Sequence, residues 1–176
     1  MRKKTIVCLM AVFCLLLSAC GGKDDKGSKA DVPVADILAA VKEAYGEDYL
    51  PEEALTEETL TQYFGLDMAW VEEYAAEVPL ISAHPDRVVI VKATEGNADA
   101  VEEALRAVQE NAVNDTMMYP MNVAKIQAGV IVRHEDYVAY FLLGAPDVNS
   151  ETEEDAKKFA EEQVQKAVDA FINCFQ

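Results

Sequence analysis

Residues 88–91 and 138–143 are apolar at every position. Side chains along a β-strand point alternately to its two faces, so a strand with no polar position must be buried on both. A chain with two such strands cannot leave either side of its sheet to water, and it needs helices to cover both. That requirement points to a layered α+β domain.

The covering helices can be read from spacing. Asp31 and Pro33 are helix-start residues, Val34, Ile37, Leu38, Val41 and Tyr45 follow at helical intervals, and Gly46 ends the run. Thr56 can cap a second helix, with Leu55 and Leu60 as a hydrophobic staple and Gly65 as its stop. Asp67 repeats the device with Leu66 and Val71, which predicts a third helix carrying Trp70 and ending before Pro79. Beyond Pro79 the period changes: residues 80–83 and 87–93 read as strands around a His84-Pro85-Asp86 turn. Asn97 then opens a helix with Val101, Leu105, Val108 and Ala112 on one face, ended by Tyr119-Pro120. Residues 126–133 and 137–143 form a hairpin around His134-Glu135-Asp136. A Ser150-x-x-Glu153 capping box starts the last helix, where Ala160, Val164, Ala167, Phe171 and Phe175 share a face. The expected fold is thus a mostly antiparallel four-stranded sheet, in the order strand-strand-helix-strand-strand-helix, preceded by N-terminal helices.

The N-terminus carries a different signal. Arg2, Lys3 and Lys4 precede an apolar run at residues 5–17, too short to cross about 30 Å of hydrocarbon as a helix, which leads into Leu17-Ser18-Ala19-Cys20. This pattern looks like a secretory signal closed by the lipobox of a bacterial lipoprotein. It implies a signal peptide at 1–19, lipidation of Cys20, a Gly/Lys/Asp tether through residue 31 and one domain over 32–176. Eleven residues of such tether span about 18 Å on average. Of 15 basic and 32 acidic residues, three basic ones lie in the signal, leaving 12 against 32, a formal charge of −20. So acidic a chain repels nucleic acid and bare anionic headgroups. Cys8 and Cys14 would leave with the signal and Cys20 would be acylated, so Cys174 has no intrachain disulfide partner.

Candidate chemistry is sparse. His84 lies beside Asp86, and His134 beside Glu135 and Asp136. A metal or acid–base site built from these five needs both turns at one end of the sheet, because ligands must lie within about 2–2.5 Å of a shared ion. The alternation Asp147-x-Asn149-x-Glu151-x-Glu153 resembles a calcium loop, but Thr152 stands where Gly is needed and Lys158 where a bidentate Glu is needed. Met117, Met118 and Met121 could offer thioether sulfur to copper(I), or simply fill gaps against a core. Arg87, Lys92 and Arg133 could form a small anion-binding face or pair with local acids. No phosphate loop, nucleophile elbow or paired-cysteine zinc motif occurs, and no cofactor is expected.

Tyr119-Pro120-Met121-Asn122, Lys125-Ile126-Gln127-Ala128, and Asp136-Tyr137-Val138 with Phe141 and Gly144 resemble a family of bacterial lipoproteins, domain-of-unknown-function family 4358. The segment from Val78-Pro79 to Ile90-Val91-Lys92, containing Asp86, is similar to it as well. The resemblance implies a Gram-positive, lipid-anchored surface protein with one small domain, and no known activity. The expected role is a non-enzymatic interaction or accessory module at the outer face of the cytoplasmic membrane, binding a protein, peptide or envelope component. The alternatives are an envelope hydrolase or metal-dependent enzyme using His84 and His134, and a small-ligand carrier.

Overall fold

The computed structural model describes residues 31–81, 83–117, 119–145 and 147–176. The signal, Cys20 and nearly all of the tether lie outside the described residues, as does Met118.

Helix α1 (Val34–Tyr45) and helix α2 (Glu57–Phe64) form as their spacing predicts. The Thr56 hydroxyl accepts from the Thr59 N–H, and Gly65 closes α2 in the left-handed region at φ 66°. Between the two helices lies the two-residue strand β1 (Glu53–Ala54). The third helix predicted from Asp67 does not form. Asp67 caps only a 3-10 turn at Met68–Trp70, and the chain continues as strand β2 (Val71–Val78).

Glu and Ala at 72–77 favour a helix locally, but strand β3 (Arg87–Ala93) needs a neighbour. β2 supplies it, pairing antiparallel from Glu73↔Lys92 to Glu77↔Val88. The acids of β2 also find partners. Glu73 accepts from the Val34 N–H at 3.3 Å, and Glu77 takes the Lys42 ammonium at 2.6 Å and the Tyr49 hydroxyl at 2.9 Å. Ladder and side-chain pairing together outweigh the helical preference.

The expected strand at 80–83 is correspondingly absent. Leu80, Ile81 and Ala83 belong to the turn between β2 and β3, with the His84 N–H bonded to the Ile81 carbonyl. Helix α3 (Ala98–Asn114) follows, and its Asn97 donates sideways to the Thr94 hydroxyl instead of capping the first turn. The strand predicted at 126–133 starts late: helix α4 (Val123–Ala128) occupies its first part, and strand β4 (Val130–His134) begins after Gly129. A two-residue turn at Glu135-Asp136 leads to strand β5 (Tyr137–Leu142). Helix α5 (Glu153–Asn173) is capped by Thr152, whose hydroxyl accepts from the Asp155 N–H, and not by Ser150.

Among the described residues the sheet therefore has five strands and not the expected four, in the order β1-β2-β3-β5-β4, with every neighbouring pair antiparallel. Both β3 and β4 run antiparallel to β5, so the α3–α4 crossover joins two strands that are parallel to each other and separated by β5.

The alternating apolar positions separate as the uniform strands require. Val89, Val91, Val138, Tyr140 and Leu142 pack with Leu60, Phe64, Val101, Leu105 and Ile126 from α2, α3 and α4. Val88, Ile90, Ala139 and Phe141 pack with Val34, Ile37, Val41, Val164, Ala167 and Phe171 from α1 and α5. Burying strands on both faces at about 25 cal/mol per Å² of apolar surface supplies the main driving force of the fold.

Candidate binding site

The ends of the sheet have different surroundings. Arg87 opposes Leu142, so the β2–β3 turn sits beside the exit of β5, whereas Lys92 opposes Tyr137, which places the β4–β5 turn at the other end. Five residue steps of antiparallel strand put about 17 Å between these registers. His84 and Asp86 thus lie at one end, and His134, Glu135 and Asp136 at the other. They form no common site, and among the described residues no three His, Cys, Asp or Glu side chains gather as ligands for a metal ion.

At the second end the candidate residues serve packing. The His134 ring stacks on Phe175 with centroids 4.2 Å apart. The Glu135 carbonyl accepts from Arg133, and the Asp136 carbonyl accepts from the Ala93 N–H. Arg133 pairs with Asp99 and Glu102, and Lys92 bridges Asp31 at 2.9 Å and Glu72 at 2.7 Å. Lys92 and Arg133 of the expected basic face are thereby matched by local acids, while Arg87, at the other end of β3, donates its Nε–H to the Pro85 carbonyl at 3.2 Å. Asp31, the first described residue, also accepts from the Tyr137 hydroxyl, so the chain enters the domain at this end.

The first end holds a cleft of about 490 Å³ between α4, α5 and the loop after β5. Gly144 makes this geometry possible. Its φ is 149°, and a Cβ there would lie 2.6 Å from Cβ of Gln163 on α5, so no larger residue lets β5 leave the sheet so close to that helix. α4 then carries Lys125 across the opening, where its ammonium donates to the Gly144 carbonyl at 2.6 Å and pairs with Oδ1 of Asp86.

Among the described residues Asp86 is the one buried charged residue, 1% exposed. Besides the Lys125 ion pair, neither carboxylate oxygen receives a hydrogen bond of ordinary geometry from the described residues. Burial holds the carboxyl above the usual Asp range, outweighing the opposite pull of Lys125. Nδ1 of His84 lies 3.5 Å from Oδ1 of Asp86 and accepts the Asp86 backbone N–H at 3.3 Å. Burial, opposed by Asp86 and aided by Lys125, lowers the His84 pKa and keeps the ring neutral near pH 7. With Nδ1 accepting, the proton of the neutral ring sits on Nε2.

Exposed apolar side chains lie in the cleft and on the turn next to it. Met121 and Val148 line the cleft and are 85% and 81% exposed, and Leu80 and Ile81, each 71% exposed, extend from the neighbouring β2–β3 turn. Met117 and Met121 lie open to solvent, and Asp147 accepts the backbone N–H groups of Asn149 and Ser150, holding its own loop.

The family model of the domain of unknown function DUF4358 matches residues 44–143. The chain belongs to this family. The DUF4358 segment runs from the end of α1 to the last residue before Gly144, and it contains both Asp86 and Lys125. No curated protein and no solved structure matches the chain.

Asp86, Lys125 and Gly144 are among the residues that carry the family resemblance in sequence, yet nothing in their spacing joins them. Gln163 and Phe159 of the same cleft read only as positions on an amphipathic helix. The one local signal at Asp86 was a carboxylate directly before β3, which also describes an ordinary turn. Among the described residues no helix is long and apolar enough to cross a membrane.

Proposed function

We propose that the chain is a lipid-anchored, extracytoplasmic accessory protein, tethered through Cys20, and that its domain docks a protein or peptide partner at the cleft end of the sheet without catalysing a reaction. The observation that carries this reading is that Met121 and Val148, 85% and 81% exposed, line one cleft, while Leu80 and Ile81, each 71% exposed, stand on the same turn as the cleft residue His84. Large apolar side chains exposed together around a concavity are a mark of docking surfaces.

The position of Asp31 supports the same reading. A tether joined at the Lys92–Tyr137 end leaves the cleft on the side of the domain away from its attachment, free to meet a partner. Enzyme chemistry shared between His84 and His134 has no support from the geometry, since the two lie at opposite ends of the sheet.

The test is comparative capture from membranes of the native cells, using the wild-type chain and the surface variants Ile81→Asp and Met121→Asp. A partner retained by the wild type and lost by both variants, with unchanged thermal unfolding, is the expected result. Equal retention by all three would refute docking at this end.

A further inference from the structure

Three residues of the cleft, Lys125, His84 and Gln163, each keep an unused donor. Lys125 has three ammonium hydrogens and spends two, on Asp86 and on the Gly144 carbonyl. His84 turns Nδ1 toward Asp86, so the partly exposed edge of its ring presents Nε2–H. Gln163 uses Oε1 to accept from the Ala145 N–H at 3.4 Å and from the Lys166 ammonium at 3.1 Å. Two donors on that atom identify it as the oxygen, so its amide nitrogen is the end left over, with no partner among the described residues. The acceptors of these three groups are therefore taken, and a ligand seated between them must bring acceptor oxygens of its own.

Charge narrows the class further. The positive charge of Lys125 is already balanced by Asp86, and Asp147 and Glu153 line the same cleft. A dianion such as a phosphate ester meets about twice the repulsion from these acids that one carboxylate meets, and a single carboxylate is the anion that one charge-assisted and two neutral donors can offset. Leu143, Phe159 and Val148 give the cleft apolar wall, beside the polar Asn122 and Gln127.

We infer that the cleft takes the free C-terminus of a peptide ending in an apolar residue, its carboxylate held by Lys125, His84 and Gln163 and its last side chain lying against Leu143, Phe159 and Val148. This deepens the docking reading above and rests on it, naming the chemistry of the partner. Lys125 serves two purposes, compensating buried Asp86 and pointing one hydrogen at the ligand, which makes the floor rigid before anything binds.

Calorimetric titration of the full-length protein in detergent tests the inference, with acetylated tripeptides ending in Leu, Val or Phe as free acids and as carboxamides. At least one acid binds saturably, and its carboxamide binds at least about tenfold more weakly, the loss expected for a charge-assisted hydrogen bond. Lys125→Met would strand Asp86, so His84→Phe and Gln163→Met are the informative variants. Each weakens the acid severalfold while its thermal unfolding stays cooperative. Four results overturn the inference: no acid binds; acids and amides bind equally; inorganic phosphate displaces the acid; or free leucine binds as tightly as the tripeptide, which would make the occupant an amino acid. Loss of the acid preference with partner capture still dependent on Ile81 and Met121 defeats the ligand class alone. Capture indifferent to Ile81 and Met121 defeats the docking surface itself.

Discussion

Replacing Lys125 with Met leaves Asp86 as an unpaired carboxyl 1% exposed to solvent, in the first turn before β3. Breaking a buried pair by removing one partner costs about 3–5 kcal/mol. The carboxyl can escape ionisation only by holding a proton, and holding it at pH 7 costs about 4 kcal/mol when the unfolded chain releases it near pH 3.9. Both routes converge on a loss of about 4 kcal/mol, a large share of the 5–15 kcal/mol of an ordinary domain.

Its pH dependence identifies the cause. Burial raises the Asp86 pKa in the folded state, so at pH values between the unfolded and folded pKa the native protein keeps a proton that the unfolded chain has released. Stability from this group is present at low pH and falls as pH rises above the unfolded value, and removing Lys125 extends that fall upward. The variant should therefore regain about 1.4 kcal/mol for each pH unit between 7 and 5 relative to the wild type. Charging of His84, 3.5 Å from Oδ1, acts in the same direction. Urea unfolding of both proteins at pH 5 and pH 7 measures it. Equal losses at the two pH values, or a loss below about 1 kcal/mol at pH 7, would refute the account of Asp86 as a charge compensated by Lys125. Replacing both residues, as Asp86→Leu with Lys125→Met, should cost less than the single change, because no charge is then stranded.

Gly144→Ala places a Cβ 2.6 Å from Gln163 at a φ of 149°, and thermal unfolding should show a loss of about 2 kcal/mol or more. Gln109→Leu removes the group that accepts from the buried Tyr140 hydroxyl and donates to the Ile126 and Gly129 carbonyls, at 2.8 and 3.1 Å. Stranding those polar atoms should cost about 2–4 kcal/mol in urea unfolding, and a loss under about 0.5 kcal/mol would count against it. Cys20→Ala should release the protein from the membrane fraction with its unfolding transition unchanged, and a variant retained there would contradict the lipid anchor.

The chain's local signals were strongest where one rule acted alone. Val34, Ile37, Val41 and Tyr45 lie on the buried stripe of α1 at the spacing that predicted it, and Thr56 caps α2. At 71–78 two rules competed. A stretch rich in Glu and Ala has no strand period strong enough to override its helical preference on paper, and only the open edge of β3, together with Val34, Lys42 and Tyr49 waiting for Glu73 and Glu77, decides it. The boundary at Gly129 was equally hidden, because Ile126 fits a strand pattern as well as it fits the last turn of α4.

By itself the sequence determined that the sheet is covered on both faces, since uniformly apolar strands at 88–91 and 138–143 admit no wet side. It also determined which helices do most of the covering, through a period that depends on near neighbours alone. The strand order and the site were decided only in three dimensions. Which turn meets which depends on the antiparallel register of β3 on β5, and that register separates His84 from His134 while bringing Asp86 to Lys125 and Gly144. A buried charge selects its partner by distance through space, and residues 86 and 125 become neighbours only when the crossover has closed.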